Sequence, residues 1–421
     1  MNKKIAIVGG GIGGLTAAYL LNKKYDITLF EKENRIGGNA YTHKTQSGES
    51  LDIAVGAYSR FVSQNFLKLC KRINVKMIKQ PSRALLSIHN LETHDGIYLT
   101  PLNLKGLMTQ KFALYRSSAR DYSISKTVLA MKKIIRLFDE GKLKGLSMAE
   151  AFQLMPELDK TGQIFLMSPL CLLSSMYYEE ILKGPAEFFI GKIKAMRQFE
   201  PMPQMLGLYF PKNFTKSYVD ALAANYPDKI IYNSNIKSIK RNNGNVTVKM
   251  NDGNESTFDF IVFACNADQA LNLLENPTPD ETRLLGNWKY KEGLMVVHKD
   301  KSKFPPRELC QSWTCLQSTR NGNPHFSISL CSWMFSPAVS NKCEFIGTQH
   351  PNFPINKILI DFKTYLRTPI YDFDSFKTIK ELPSLNGKMK SYYCGSHFGF
   401  GLHDDAVTSA INVAKELGIN W

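Results

Sequence analysis

Gly9, Gly11 and Gly14 stand in the spacing G-x-G-x-x-G, and Glu31 closes the next apolar run. Residues of these types at these places suit a diphosphate and a ribose. The first glycine allows a tight turn, the second leaves room for a pyrophosphate, and the third lets a helix lie close to a strand. The helix start then offers unpaired N–H groups and a positive dipole end. A carboxylate at Glu31 accepts hydrogen bonds from ribose hydroxyls and disfavours a 2′-phosphate. The flanking segments supply the elements that such a cradle needs. Lys4–Val8 reads as a buried strand, Leu15, Ala18, Tyr19 and Leu21 mark a helical face, and Tyr25–Phe30 reads as a second strand. A whole βαβ unit separates this stretch from a glycine-rich turn that binds nothing. A secretory leader does not fit, because Ile5–Val8 is too short for its apolar region.

The next residues, Glu33–Gly38, read ENRIGG. With this R-x-G-G element after the βαβ unit, the sequence resembles the flavin-containing amine oxidase superfamily, which includes monoamine oxidases, phytoene desaturases and protoporphyrinogen oxidase. The resemblance implies non-covalent FAD, with Arg35, Gly37 and Gly38 along its pyrophosphate and flavin. It places Ile12, Gly13, Lys32 and Asn39 beside Gly9, Gly11, Gly14 and Glu31 in the cofactor site. A guanidinium suits a diphosphate, and glycine permits close backbone approach.

A second matching segment lies at 391–415, SYYCGSHFGFGLHDDAVTSAINVAK. It is similar to a narrower subgroup of NAD/FAD-binding proteins with the motif C-G-x-x-x-G-x-G-x-H-E-D-G, whose genes often adjoin cyclopropane-fatty-acid-synthase-like methyltransferases. The matched residues are Cys394, Gly395, Gly399, Gly401, His403 and Asp405. Asp404 stands for the glutamate and Ala406 for the last glycine. The resemblance implies that Gly395, Ser396, His403, Asp404, Asp405 and Ala406 border the cofactor. Both aspartates also suit plain helix caps. Residues 236–270 read as a β-meander with turns at Asn243-Gly244 and Asp252-Gly253, followed by a strand at Phe260–Ala264. By resemblance, Ile236 and Ile239 flank the adenine and Ala264 adjoins the cofactor. Where many relatives carry R-G-G-S, residues 209–222 read YFPKNFTKSYVDAL, without a glycine pair.

These pieces imply an α/β fold: a Rossmann-like FAD-binding domain of amine-oxidase type with an inserted α+β substrate domain. The FAD domain is expected from 1–60, 205–270 and 385–421, and the substrate domain from 61–204 and 271–384. Catalysis has no announced motif. His397 is the candidate catalytic residue, because its loop contacts flavin in relatives. His298, His403, Tyr177, Tyr178, Trp313 and Trp333 are further candidates near a substrate. Lys289 and Lys291 fall near the region of the lysine that contacts flavin through water in monoamine oxidases. The apolar stretch 164–190, divided at Pro169, Gly184 and Pro185, reads as core and as the wall of an apolar tunnel.

The net charge of +16 is spread along the chain, which fits solubility, an anionic lipid surface or an acidic substrate better than nucleic acid. The helix expected at 124–138 sets Val128, Leu129, Ile134, Ile135, Leu137 and Phe138 among Lys126, Lys132, Lys133 and Arg136. Such a helix packs in a core or lies on a membrane surface. The eight cysteines form no CxxC pair and read as reduced, cytosolic thiols, without metal. The reading is an FAD-dependent oxidoreductase that takes hydride from a C–H bond of an apolar, acyl- or lipid-like substrate. Oxygen or another acceptor reoxidises the flavin, and the protein is cytoplasmic with peripheral membrane contact open. An amine oxidase, a double-bond isomerase and a non-catalytic FAD-binding protein stay as alternatives.

Overall fold

The computed structural model describes residues 2–80, 86–98, 124–197, 208–242 and 244–421, with the side chains of residues 80 and 124–128 excepted. The turn residue Asn243, and the side chains of Lys126 and Val128, lie outside the described residues. Strand β1 (Lys4–Val8), helix α1 (Ile12–Leu21) and strand β2 (Asp26–Phe30) form the expected unit. They belong to a five-stranded parallel sheet in the order Ile230–Ile231, β2, β1, Phe260–Phe263, Ser391–Tyr393. Alternation along β1 sends Ile5 and Ile7 to one face and Ala6 and Val8 to the other. The first face packs on α1 and the C-terminal helix His403–Glu416. The second packs on the antiparallel meander Ile236–Arg241, Val246–Met250 and Glu255–Phe258. Parallel strands covered on both faces read as continuous apolar runs, as IAIV and FIVF do here.

A seven-stranded sheet stands apart from this one. Its order is Ile360–Ile370, Lys289–His298, Ile346–Gln349, Asn323–Cys331, Trp313–Arg320, Leu86–Asn90 and Gly96–Tyr98. All its pairs are antiparallel except Trp313–Arg320 with Leu86–Asn90. The helices Ile124–Asp139, Lys160–Ser174, Tyr178–Lys183 and Ala186–Met196 share its core. Pro169 corrects one expectation: it sits inside the helix Lys160–Ser174 rather than ending it. Proline cannot donate to the carbonyl of Phe165, and the Ser168 hydroxyl donates to that carbonyl instead, at 3.3 Å. In Ile124–Asp139, Ala130, Met131 and Ile134 are buried, so this face is core, while Leu129 is exposed. Among the described residues no helix is long and apolar enough to cross a membrane.

The segment that lacks the glycine pair is held by a buried carboxylate. Asp52 accepts from the Thr215 N–H at 3.0 Å, the Thr215 hydroxyl at 2.9 Å and the Thr42 hydroxyl at 2.7 Å. Phe214, just before, takes φ of +62°, a region where side chains are uncommon. Burial pushes the Asp52 carboxyl up to about 6, against the pull of these hydrogen bonds. The folded protein therefore keeps this proton to higher pH than the unfolded chain. The stabilisation is full below pH 3.8 and is lost as pH rises through about 6. Stability measured by urea unfolding should fall by about 3 kcal/mol more in the parent than in Asp52→Asn across that window. Equal slopes would show that Asp52 does not titrate in this way.

Candidate nucleotide and substrate site

The cradle is built where β1 ends. Gly9 has φ of +107°, and its N–H donates to the Phe30 carbonyl at 2.8 Å, tying the loop to β2. A Cβ on Gly14 would lie 1.8 Å from the Gly9 carbonyl oxygen, so only glycine fits at the crossing of helix and loop. A Cβ on Gly11 would meet nothing within 4 Å: this side of the loop is open. Gly11 is also the N-cap of α1, and no side chain caps it, so the helix start remains available to an anion. ENRIGG lies alongside. The Gly37 N–H donates to the Gly10 carbonyl at 2.8 Å, and Gly37 bridges to Gly11 with φ of +104°. Arg35 donates to the Gly38 carbonyl at 2.9 Å and stacks on Tyr41 at 4.1 Å.

Glu31 is buried, and its carboxylate accepts from the Gly10 N–H at 2.7 Å and the Glu33 N–H at 2.9 Å. Two such bonds leave lone pairs for ribose hydroxyls. Lys32 is exposed and pairs with Glu33. Ile12 and Gly13 are buried, and Gly13 faces Ala406 and Cys394, where α1 meets the C-terminal helix. Ala406 belongs to that helix contact. Ala264 donates to the Val8 carbonyl at 2.8 Å and backs Gly9 and Gly14. Ile236 is half-buried at the meander edge. Ile239 has no exposed surface and lies in the core, so of this pair Ile236 alone has surface to offer a ligand.

In the C-terminal loop, three of the candidate residues make structural contacts. His397 does not line the cavity described below. Its ring packs against Trp288 and Phe398 beneath the loop, and burial holds it down at about 4. It therefore supports the loop at Gly395, where a Cβ would lie 2.6 Å from its ring. Asp404 caps a different helix, accepting from the Phe66 N–H at 2.6 Å at the start of Gln64–Arg72. Asp405 accepts from the Leu402 N–H at 2.8 Å and caps its own helix. Burial raises both carboxyls, that of Asp405 to about 6. The caps arise because helix N-termini present N–H groups that need acceptors.

A cavity of about 390 Å³ lies against this loop, within the range of small-molecule sites. Asn39, Ser396, Gly401, Leu402, His403, Thr368 and Tyr371 line one part. Apolar side chains predominate in the rest, among them Leu86, Phe165, Leu172, Trp313, Ile328, Leu330 and Phe335, with Ser59, Ser63, Ser174, Ser175 and Gln349 between them. Among the described residues, no aspartate, glutamate, lysine or arginine side chain lines it. Thr368 Oγ1, the Tyr371 hydroxyl and His403 Nε2 are buried with no hydrogen-bond partner among the described residues. Burial among Tyr58, Phe66 and Tyr218 pushes the His403 imidazole down to about 3, so it is neutral. Three orphaned polar atoms and the open side of Gly11 fit a ligand with a polar ring system and a diphosphate, as FAD has.

Of the other candidates, only Trp313 joins His403 in the lining. His298 is fully buried against Thr348, Tyr177 packs on His350, Tyr178 is core, and Trp333 lies under Arg307. Lys289 pairs with Asp372 and Lys291 with Glu180, both away from the cavity. Thr368 and Tyr371 were missed because they lie in a segment with no motif. Lys192 was missed too. It has no exposed surface and donates to the Leu173 carbonyl at 2.6 Å and the Ser174 hydroxyl at 3.2 Å, at the C-terminus of Lys160–Ser174. Burial pushes its amine down to about 7. Only its place in an apolar helix face could have marked it.

A family model described as flavin containing amine oxidoreductase matches residues 12–341. Amine oxidase A of Sus scrofa is 33% identical over 76 residues, 18% of this chain and 14% of that protein. 4,4′-Diapolycopen-4-al dehydrogenase of Metabacillus indicus is 58% identical over 43 residues, 10% of this chain and 9% of that protein. The alignments thus span a small part of these relatives' length. Among solved structures, a CLA-producing fatty acid isomerase from P. acnes superposes with a TM-score of 0.69 at 14% identity, covering 99% of both chains. A putrescine oxidase variant superposes with a TM-score of 0.67 at 11% identity, covering 99% of this chain and 98% of that one. At these identities the superpositions show a shared fold.

Proposed function

The chain belongs to the flavin-containing amine oxidoreductase family, whose members are FAD-dependent oxidoreductases, and from that premise we propose that it oxidises a C–H bond of an apolar, acyl-like substrate. The observation that supports this reading is the lining of the cavity, which is largely apolar and holds no charged side chain among the described residues, with Thr368, Tyr371 and His403 supplying orphaned polar atoms. FAD, when bound, supplies the two-electron acceptor for hydride. The open side of Gly11 and the uncapped start of α1 would hold its diphosphate, with Arg35 adding charge. Glu31 would take the ribose hydroxyls. Thr368, Tyr371 and His403 offer polar atoms to the ring system. Phe165, Leu172, Trp313, Leu330 and Phe335 would fix an alkyl chain and exclude water.

The similar fatty acid isomerase and the carotenoid-type dehydrogenase are named for apolar substrates, and the amine and putrescine oxidases for amines. The described lining residues give a protonated amine no counter-ion, which favours the apolar class. The test is anaerobic mixing of the FAD-loaded protein with a panel of long-chain acyl compounds and alkyl amines. Loss of oxidised-flavin absorbance with the acyl compounds alone is the expected result, and loss with amines alone would overturn the reading. Analysis of the recovered chain for a moved double bond separates isomerisation from net oxidation.

A further inference from the structure

Resting on that reading, we infer that Ser174 binds the carboxylate head of the substrate within the cavity, and that Lys192, set behind Ser174, is the positioning residue that supplies the opposing charge. Ser174 ends the helix Lys160–Ser174 and is a lining residue of the cavity. Its hydroxyl oxygen accepts from the Lys192 amine at 3.2 Å, and among the described residues it donates to no acceptor. An oxygen that accepts from an ammonium turns its own hydrogen elsewhere, and a ligand in the cavity can accept that hydrogen. Lys192 itself does not line the cavity. It has no exposed surface, stands on the helix Ala186–Met196, and donates also to the Leu173 carbonyl at 2.6 Å. The ring centroids of Phe188 and Tyr371 lie 5.9 and 5.7 Å from its Nζ, and aromatic faces at that range favour a cation. Burial holds the amine down at about 7, against the upward pull of the Asp405 carboxylate on the C-terminal helix. Asp405 caps its own helix at the Leu402 N–H and makes no ion pair with Lys192. A buried amine short of a counter-charge gains from an anion placed nearby.

The same helix places the rest of the chain. Phe165, Pro169, Leu172 and Ser174 all belong to it and all line the cavity. From Phe165 to Ser174 the helix axis rises by about 13 Å. An alkyl chain laid along Phe165, Pro169 and Leu172 therefore brings its head to Ser174. The C-terminus of a helix by itself repels an anion. The Lys192 amine, bonded to the Leu173 carbonyl, offsets that field once protonated, and Ser174 makes the contact. The same charge repels a protonated amine, so the head site and the apolar wall select alike. With the head held, the length of the chain decides which carbon rests beside the C-terminal loop.

The test reads binding and proton count, apart from turnover. FAD-loaded parent, Ser174→Ala and Lys192→Met proteins are titrated by calorimetry with dodecanoic acid, below the concentration at which it aggregates, and with its methyl ester. Each titration is run at about pH 7 in two buffers of different ionisation enthalpy. The parent should bind the acid at least about 10-fold more tightly than the ester, and each variant should lose most of that advantage. The bound anion raises the Lys192 amine, so the parent should take up roughly half a proton per acid bound, and Lys192→Met none. A role for Lys192 in folding alone would not move that count. The melting temperature is the fold control, and Ser174→Ala, which removes a single oxygen, decides the matter if Lys192→Met does not fold. Equal binding of acid and ester by the parent, an acid advantage that survives in Ser174→Ala, or proton uptake that persists in Lys192→Met would overturn the site. If the acid binds as expected while no acyl compound reduces the flavin, the redox reading fails and this site stands. Flavin reduction by acyl compounds with equal binding of acid and ester would remove the site and leave the redox reading.

Discussion

Replacing Gly11 by alanine is expected to leave the fold intact and weaken FAD binding by roughly 10- to 100-fold, equivalent to about 1.4–3 kcal/mol. Gly11 has φ of −69°, which alanine adopts freely, and its Cβ would enter open space. What the methyl would occupy is the approach of a diphosphate to the start of α1. The companion substitution behaves oppositely. Gly14→Ala puts a methyl 1.8 Å from the Gly9 carbonyl oxygen, so helix and loop must separate. It should cost about 3 kcal/mol or more in folding stability, with or without cofactor. Melting temperature of the FAD-free protein and FAD titration, measured on both variants, distinguish the two. A Gly11→Ala protein that binds FAD as the parent does would remove Gly11 from the site.

The second large effect lies far from the cavity. Arg241, on the meander, and Glu281, on the helix Pro279–Gly286, form a two-pronged ion pair with each side chain 2% exposed. The contacts are 2.5 Å for Nη1 with Oε1 and 2.8 Å for Nη2 with Oε2. Arg241 also reaches Ser391 at 3.0 Å, on the strand that leads into the C-terminal loop, and Tyr393 donates to Glu281 at 2.5 Å. Burial alone would push the Glu281 carboxyl up, and its bonds to Arg241, Tyr393 and the Thr278 N–H outweigh burial and hold it below its usual range. Glu281→Gln leaves a buried guanidinium without its counter-charge and should lower stability by about 3–5 kcal/mol. Arg241→Met/Glu281→Leu removes both charges and should stand closer to the parent than the single variant does. Urea unfolding checks both. A single variant within about 0.5 kcal/mol of the parent would show that the pair contributes little.

The parts of the fold legible in the sequence are those in which local chemistry and backbone coincide. The βαβ unit could be read because strand, glycine turn and helix are contiguous and each has its own periodicity. The loop at 391–405 could be read because its glycines and the Asp405 cap are also local. The cavity could not be read in the same way. Thr368 and Tyr371 reach it from the far end of one sheet strand and the turn after it, Trp313 from another strand, and Phe165 from a helix. None has a neighbour in sequence that marks it. His397 is a related case: it sits inside a recognisable motif, and its packing against Trp288, a residue distant in sequence, could not be read from that motif. Asp404 caps a helix more than 300 residues earlier in the chain, a relation that no local pattern carries.

The most direct measurement is the absorption spectrum of the protein purified with excess FAD and freed of unbound cofactor, taken for the parent and for Gly11→Ala. The parent should retain oxidised-flavin absorption at one FAD per chain, and the variant should lose most of it while melting at nearly the parent temperature. A folded parent that stays colourless after reconstitution would contradict the assignment of the glycine loop, Glu31 and Arg35 as an FAD cradle.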